Sequence, residues 1–309
     1  MCMETREQSI VAARPQDLTR LRRLLTHGRR VFCRTGDEDL AGLLERHLVL
    51  LGEERERLWG AVGVELEPRP ETLPPVAPNR AYVQILALNA GYAPVPDGVR
   101  LLAAAVEKLR TDLQPTQAIA YADESWLAET LAAAGFSPTD VIQTFHLDVR
   151  ELPASLLTER TTTAVLRPMR PSELDAVAQL DAGAFEPLWH FGRRALWELF
   201  FSSHMQVALI DDEIVGYAAL AQTGGEAHLT RLAVHPRVQG WGIGRRLLVS
   251  ALLYAQRHHV HTVSLNTQAS NHRSQRFYRS LGFAPTQQQT PVYTLEIAGQ
   301  RATNGDPSP

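Results

Sequence analysis

Residues 229–248 read LTRLAVHPRVQGWGIGRRLL, and this stretch decides the fold. Its first part, residues 229–234, has the apolar residues of a buried strand, and Pro236 ends that strand. From Ile243 onward the apolar residues recur at helical spacing, which predicts a helix. Between the strand and the helix lie three glycines, Gly240, Gly242 and Gly244.

The predicted helix start has the features of an anion site. No Asp, Asn, Ser or Thr directly precedes Ile243, so the first N–H groups of the helix lack a side-chain partner. Free N–H groups without a nearby Cβ bind anions, usually phosphate. A nucleotide P-loop would need a Lys after the glycines, and a dinucleotide fingerprint would need glycine at Arg245 or Leu247. The other interpretation is a turn that needs glycine only for its dihedral angles.

The glycine turn resembles a known family signature. Residues 239–244, QGWGIG, are similar to the Gln/Arg-x-x-Gly-x-Gly/Ala signature of the GNAT acetyltransferases. In that family the turn holds the pyrophosphate of acetyl-CoA, and the preceding strand runs beside the pantetheine arm. The resemblance implies cofactor contacts at Leu232, Ala233, Val234, Gln239, Gly240, Trp241, Gly242, Ile243, Gly244 and Arg245.

A second motif supports the same family. Residues 271–283, NHRSQRFYRSLGF, resemble its Asn-x-x-Ala-x-x-Phe/Leu-Tyr-x-x-x-Gly-Phe element, with Ser274 at the usual Ala. The resemblance implies that Asn271 lies near the pantetheine and that Tyr278 protonates the departing CoA thiolate. A phenol is a weak acid suited to that step. The alternatives are a helix cap at Asn271 and a packing role for Tyr278.

The general base is less clearly indicated. This copy resembles the ribosomal-protein alanine acetyltransferases, but their Glu is replaced here by Asn266, and an amide cannot act as a base. The histone acetyltransferase branch places its Glu at the position of His228, which titrates near neutral pH. His228 is therefore the candidate base. A surface histidine with a hydrogen-bond partner, Glu226, or a chain of waters are the alternatives.

The acceptor is expected to contact an aromatic stretch. Residues 184–191, AFEPLWHF, lie where the resemblance implies the border of the acceptor groove. Aromatic walls with a few polar groups suit a small amphipathic acceptor, so Trp189 and His190 are predicted to contact it. These rings could also belong to the core. His258, His259 and His261 suggest a metal only weakly, because two of them end a helix, and we predict no metal.

The sequence contains two copies of one plan. RPQDL at 14–18 returns as RPSEL at 170–174, and AYVQILALN at 81–89 aligns without a gap with AHLTRLAVH at 227–235. We predict tandem GNAT folds of the α/β class, each a mixed, mostly antiparallel sheet flanked by helices. The predicted domains are a degenerate copy at 1–150, a linker at 151–163, a catalytic copy at 164–298 and a flexible tail at 299–309.

The first copy is expected to lack an ordinary acetyl-CoA site. Its aligned turn, residues 93–98, reads APVPDG, so two glycines have become Pro94 and Pro96, which lack N–H donors. Asp97 adds negative charge there, and Leu131 stands at the position of Tyr278. A copy retained for packing is the favoured interpretation. A site adapted to another ligand, with the proline-rich residues 67–79 as a lid, is the alternative.

Composition narrows the partners and the cellular compartment to be expected for the protein. With 309 residues, a net charge of −3 and 44% hydrophobic residues, the chain suits two ordinary domains and gives no reason to expect nucleic acid or an anionic membrane as partner. Cys2 and Cys33 form no metal motif or disulfide framework, and neither a signal peptide nor an apolar stretch of transmembrane length is seen, so a cytoplasmic monomer or homodimer is expected.

These observations predict an acetyl-CoA-dependent N-acetyltransferase that uses its second copy. The expected acceptor is the amine of a small molecule or a peptide. Two alternatives remain open. One is a non-catalytic acyl-CoA-binding or sensing protein, and the other is a bifunctional tandem enzyme of the mycothiol synthase type.

Overall fold

The computed structural model describes residues 8–55, 57–111, 115–150, 152, 156 and 163–299. The predicted linker and tail lie mostly outside these residues. The chain divides into two units. The first runs to Arg69, continues over Val76–Asp140 and takes the chain again from Thr290, whereas the second consists of Pro70–Pro75 and Val141–Gln289.

The first sequence copy supplies seven strands and four helices among the described residues. They are β1 (Gln8–Ala12), α1 (Leu18–His27), β2 (Arg30–Cys33), α2 (Leu40–Arg46), β3 (Leu48–Glu54), β4 (Arg57–Glu67), β5 (Asn79–Leu88), α3 (Val99–Arg110), β6 (Thr116–Tyr121), α4 (Ser125–Ala133) and β7 (Ser137–Asp148).

The second copy repeats this plan, with six strands and four helices in the described part of the chain. They are β8 (Val165–Pro168), α5 (Leu174–Ala184), α6 (Arg193–Ser202), β9 (Ser203–Ile210), β10 (Glu213–Thr223), β11 (Glu226–Val234), α7 (Ile243–Arg257), β12 (Thr262–Gln268), α8 (His272–Ser280) and β13 (Ala284–Ile297).

Each unit is built on a mostly antiparallel sheet flanked by helices. The strand order is β1-β3-β4-β5-β6-β13 in the first unit, with β2 also paired to β5, and β7-β12-β11-β10-β9-β8 in the second. The parallel pairs are β5 with β6 and β11 with β12. The predicted fold class is confirmed.

The last strand of each copy lies in the other unit. Residues 292–297 of β13 pair with β6, and residues 142–148 of β7 pair with β12. The units therefore differ from the sequence copies by an exchange of strands. The predicted boundaries at 150 and 164 remain a prediction about the copies.

Both central strands carry a bulge at the same place. The extra residue is Thr230 in β11 and Gln84 in β5, which align in the duplicated phrase. A bulge turns the side chains beyond it to the other face of the sheet. As a result, Leu229 packs in the core formed with α7, whereas Ala233 packs in the core formed with α5.

A matched pair of glycines also supports the duplication. A Cβ on Gly60 of β4 would lie 2.9 Å from the carbonyl oxygen of Ala87, and one on Gly216 of β10 would lie 3.0 Å from that of Ala233. Each glycine therefore permits the same close approach of the central strand.

Candidate active site

The glycine turn leads directly into α7. Gly240 and Gly242 have φ angles of 90° and 84°, a region that glycine adopts most readily. Gly242 is the N-cap residue of α7, and no side chain caps this helix. The first N–H groups of the helix also have no partner within it. The turn therefore offers backbone donors at the positive end of a helix dipole, as an anion site requires.

Gln239 holds the turn in place. Its Nε2 donates to the carbonyl oxygen of Val234 at 3.0 Å, and its Oε1 accepts from Nη1 of Arg273 at 2.7 Å. The turn is thereby joined to the end of β11 and to α8. Trp241 is 60% exposed beside the turn. The motif spacing gave no indication of Arg273.

The end of β11 has an open edge. On one side β11 pairs with β12 only over residues 226–229. On its other side it pairs with β10, where the amide of His235 donates to the carbonyl oxygen of Val215 at 2.8 Å. In an antiparallel ladder alternate residues face the partner strand, so the N–H groups of Leu232 and Val234 point away from β10. In the described part of the chain no strand pairs with this edge.

The same edge is covered in the first unit. There β5 pairs with β6 over residues 79–82, and beyond this point with β2. Strand β2 lies opposite Leu86 and Leu88 of β5. These two residues align with Leu232 and Val234. The chain itself therefore occupies in the first unit the edge that is open in the second.

Tyr278 is held inside a cluster of aromatic rings. Its ring centroid lies 5.3 Å from that of Phe277, 5.9 Å from that of Phe283 and 6.5 Å from that of Phe145. Burial raises the pKa of Tyr278 to about 12, and the charge of Arg231 acts in the opposite direction. The hydroxyl therefore keeps its proton at neutral pH. Both a packing role and a role as donor fit this position.

Asn271 caps helix α8. Its Oδ1 accepts a hydrogen bond from the backbone N–H of Ser274 at 3.0 Å. This is the capping role that the sequence allowed. A contact with pantetheine stays a prediction.

His228 pairs with a neighbour that sequence reasoning missed. Its Nδ1 lies 2.9 Å from Oγ of Ser264, and that hydroxyl donates to the carbonyl oxygen of Ala227 at 3.3 Å. When the single hydroxyl proton of Ser264 is used there, the hydroxyl accepts from Nδ1–H, and Nε2 carries the lone pair. Burial lowers the pKa of His228, so the ring is neutral at pH 7. Ser264 faces His228 from the adjacent strand, a register that the sequence alone does not give.

A buried ion pair lies behind the end of β11. Nε and Nη2 of Arg231 each donate to a carboxylate oxygen of Asp181 at 2.7 Å, and the hydroxyl of Tyr217 donates to the same carboxylate. Burial raises the pKa of Asp181, but bonds from His190, Arg231 and Tyr217 outweigh it and lower the pKa to about 2. Asp181 stands among buried apolar residues of α5, and that anomaly is the sequence signal that could have revealed it.

His190 belongs to this buried network. Its side chain is fully buried, with Nδ1 donating to Asp181 at 3.0 Å and Nε2 lying 3.0 Å from Oγ1 of Thr72. Trp189 is half-buried, and its carbonyl oxygen accepts from Arg231 at 2.6 Å. Both residues thus help to hold the α5–α6 connection. Their predicted contact with the acceptor stays a prediction.

Thr72 enters this network from the first copy. It lies in Pro70–Pro75, which belongs to the second unit. The proline-rich stretch that we interpreted as a possible lid for the first copy therefore contributes a side chain here. Sequence periodicity gives no such placement.

Neither a metal-binding cluster nor a membrane-spanning helix is found in the part of the chain that the structure describes. Within the described ranges, no group of three or more His, Cys, Asp or Glu side chains could hold a metal ion. None of the helices in these ranges is long and apolar enough to cross a membrane.

Comparison with known proteins identifies the second copy. Residues 174–283 match the profile of the Acetyltransferase (GNAT) family. A Bacillus subtilis (strain 168) protein assigned as a ribosomal protein bS18-alanine N-acetyltransferase is 28% identical over 127 residues, which cover 40% of this chain and 83% of that protein.

Solved structures match the full two-unit architecture. A tandem GNAT protein from the clavulanic acid biosynthesis pathway superposes with a TM-score of 0.62 at 20% identity, covering 96% of this chain and 100% of the other. A GCN5-related N-acetyltransferase from Sphaerobacter thermophilus gives a TM-score of 0.62 at 17% identity, covering 96% and 97%. At these identities the likeness concerns the fold.

Proposed function

This chain is a tandem GNAT protein and an N-acetyltransferase, and we propose that its second unit transfers an acetyl group from acetyl-CoA to the amine of a small molecule or a peptide. The GNAT family uses acetyl-CoA and acts on amine acceptors. For this chain we propose the dependence on acetyl-CoA, the use of the second unit and the nature of the acceptor.

One observation carries the proposal. The open edge of β11, at Leu232 and Val234, leads directly to the uncapped glycine turn. Backbone donors on the edge suit the amide groups of a pantetheine arm, and the N–H groups of the turn suit a pyrophosphate. A site that takes an extended polar arm ending in phosphates needs these two features in this order.

Tyr278 is proposed to assist the leaving group. Acetyl-CoA supplies an acetyl thioester, whose sulfur becomes negative as its bond to the acetyl carbon breaks. A buried phenol with a pKa of about 12 stays protonated and can donate a hydrogen bond to that sulfur. Because a thiol has a pKa of about 8.5, the favoured role of Tyr278 is hydrogen-bond donation while the charge develops.

His228 is proposed to accept the proton of the amine. Ser264 orients the ring so that Nε2 is the basic nitrogen, and burial keeps the ring neutral at pH 7. A neutral imidazole can take a proton directly or through one water molecule. We further propose that Trp189 and His190 contribute to the acceptor groove, either by contact or by holding its wall.

The test begins with calorimetric titration of the full chain with acetyl-CoA. A screen of amines, amino acids, aminoglycosides and peptide N-termini follows, with release of free CoA thiol as the readout. We expect binding, and thiol release that depends on an amine. No binding would contradict the proposal, and binding without turnover on any amine would instead support acyl-CoA sensing.

A further inference from the structure

We propose that Asp181 and Arg231 are positioning residues that hold the α5–α6 connection, residues 185–192, away from the open edge of β11. The pair thereby keeps the acyl-CoA site accessible. This inference rests on the proposed function in one respect, the assignment of the β11 edge to acyl-CoA.

The pair binds the connection through its backbone. The N–H group of Phe191 donates to Oδ1 of Asp181 at 2.7 Å, and the carbonyl oxygen of Trp189 accepts from Nη2 of Arg231 at 2.6 Å. The guanidinium also lies 3.5 Å from the ring centroid of Phe185 and 4.0 Å from that of Phe191. Backbone, charge and ring contacts therefore fix both ends of the connection to one ion pair.

The first copy lacks the pair, and its corresponding connection lies elsewhere. In the duplicated phrases Leu25 aligns with Asp181, and Ile85 aligns with Arg231. Both are apolar and pack in one core. The corresponding connection between α1 and α2 contains β2, which lies on the edge of β5. Where the ion pair is absent, the connection covers the edge.

Energetics favour a role beyond stability. Taking two charges out of water is costly, and replacing a buried ion pair with apolar residues is often neutral or stabilising. The pair is therefore poorly explained as a source of stability alone. Its four hydrogen bonds to neighbouring groups instead specify one conformation of the connection.

The main experiment transplants the apolar pair of the first copy. Asp181→Leu combined with Arg231→Ile removes both charges, so no uncompensated ion remains buried. The matched control is Asp175→Asn with Arg193→Gln, an exposed ion pair between α5 and α6, the helices that flank the connection. Circular dichroism reports the fold, hydrogen exchange reports residues 188–191 and the β11 edge, and calorimetry reports acetyl-CoA binding.

We expect the double variant to keep its fold. Its Phe191 amide should exchange at least about tenfold faster, and it should bind acetyl-CoA at least about tenfold more weakly. The KM for acetyl-CoA should rise, with a smaller change in kcat. The control pair should change neither property. Faster exchange at Phe191 with wild-type acetyl-CoA affinity would overturn the inference.

Two further readouts separate this inference from the proposed function. If the wild-type chain does not bind acetyl-CoA, the proposed function fails, and the inference is judged by exchange in the absence of ligand. The double variant should then show slower amide exchange at Leu232 and Val234, and unchanged exchange at these residues would overturn the inference.

If the double variant does not fold, Arg231→Lys is the substitute, because it keeps the charge but loses the bidentate geometry. It should loosen residues 188–191 and weaken binding, and wild-type behaviour in both would overturn the inference.

Discussion

Strands β5 and β11 begin alike and end differently. Each has one parallel neighbour at its start and a bulge at the same aligned residue, Gln84 or Thr230. Beyond the bulge, β2 covers one edge of β5, whereas the corresponding edge of β11, on the side away from β10, has no paired strand among the described residues. The two copies therefore share a fold and differ at the edge that a cofactor would use. Duplication preserved the framework, and the first copy covers with a strand of its own the edge that is open in the second.

The turns that follow these two strands also differ, and again only the second copy keeps the features of an anion site. In the first copy Pro94 and Pro96 lack N–H donors, and Oδ2 of Asp97 accepts from the amide of Ala93 at 2.8 Å. A carboxylate thus takes the place that an anion would need. Edge and turn have changed together, which weighs against a bifunctional enzyme with two equivalent sites.

The largest expected effect comes from Tyr278, whose aligned residue in the first copy is Leu131. Tyr278→Phe removes only the hydroxyl from an aromatic cluster, so acetyl-CoA affinity should persist while turnover falls by roughly 10² to 10⁴. Steady-state kinetics with an identified acceptor, together with calorimetry, measures both. Tyr254→Phe on α7 is the control and should retain activity. A fall below about threefold would assign Tyr278 to packing.

The next largest effect is expected at His228, whose aligned residue in the first copy is Tyr82. His228→Gln should reduce turnover by roughly 10² at pH 7, at the low end of the range for a lost proton acceptor. Burial lowers the pKa of His228, so the wild type should lose activity only as the pH falls below the ordinary value for histidine. In the variant, activity should recover as the pH rises and more of the amine is neutral. A pH–rate profile parallel to that of the wild type would leave Glu226 or water as the base.

A matched pair of glycines tests the turn. Gly242→Asp places a carboxylate at the proposed pyrophosphate site and should weaken acetyl-CoA binding at least about tenfold, or 1.4 kcal/mol. Gly91→Asp is the control, because Gly91 has a similar φ of 93° in an open turn of the first unit. Calorimetry should show wild-type affinity for this control. Equal losses in both variants would mean that backbone strain, and not the anion site, is responsible.

The smallest expected effect is at β5. Acetyl-CoA should slow amide exchange at Leu232 and Val234, whereas at Leu86 and Leu88 it should change by less than about twofold, because β2 already protects them. Hydrogen exchange with and without acetyl-CoA measures both edges in one sample. Protection gained at β5, or two cofactors bound per chain, would break the comparison and restore a second site.

Local patterns in the sequence predicted much of the fold and of the glycine turn. The apolar period, the three glycines and the repeated phrases gave the strand, the turn, the helix and the tandem plan. RPQDL and RPSEL even form the same helix entry, in which Asp17 and Glu173 accept from the amides of Arg14 and Arg170 at 2.9 and 2.8 Å. The strand, the turn and the helix depend on residues close in sequence, and these elements were predicted.

The missed features depend on distant residues. Asp181 and Arg231 are separated by 50 positions, and neither shows its partner by spacing. The pairing of β2 with β5 and the exchange of β7 and β13 join strands that are far apart in the sequence. The burial of His190 follows from Asp181 and Thr72, so it too could not be read from the aromatic stretch alone.

The exchanged strands set an order for folding during synthesis. The ribosome delivers β6 long before residues 292–297, which are its partner in the sheet. The edge of β6 therefore stays unpaired while the second copy is made, and an unpaired edge invites association with other chains. A gene cut between the copies would produce two fragments that each lack a strand of their own sheet. On separate polypeptides, β6 and β12 would each lack one of their two neighbouring strands until the fragments associate.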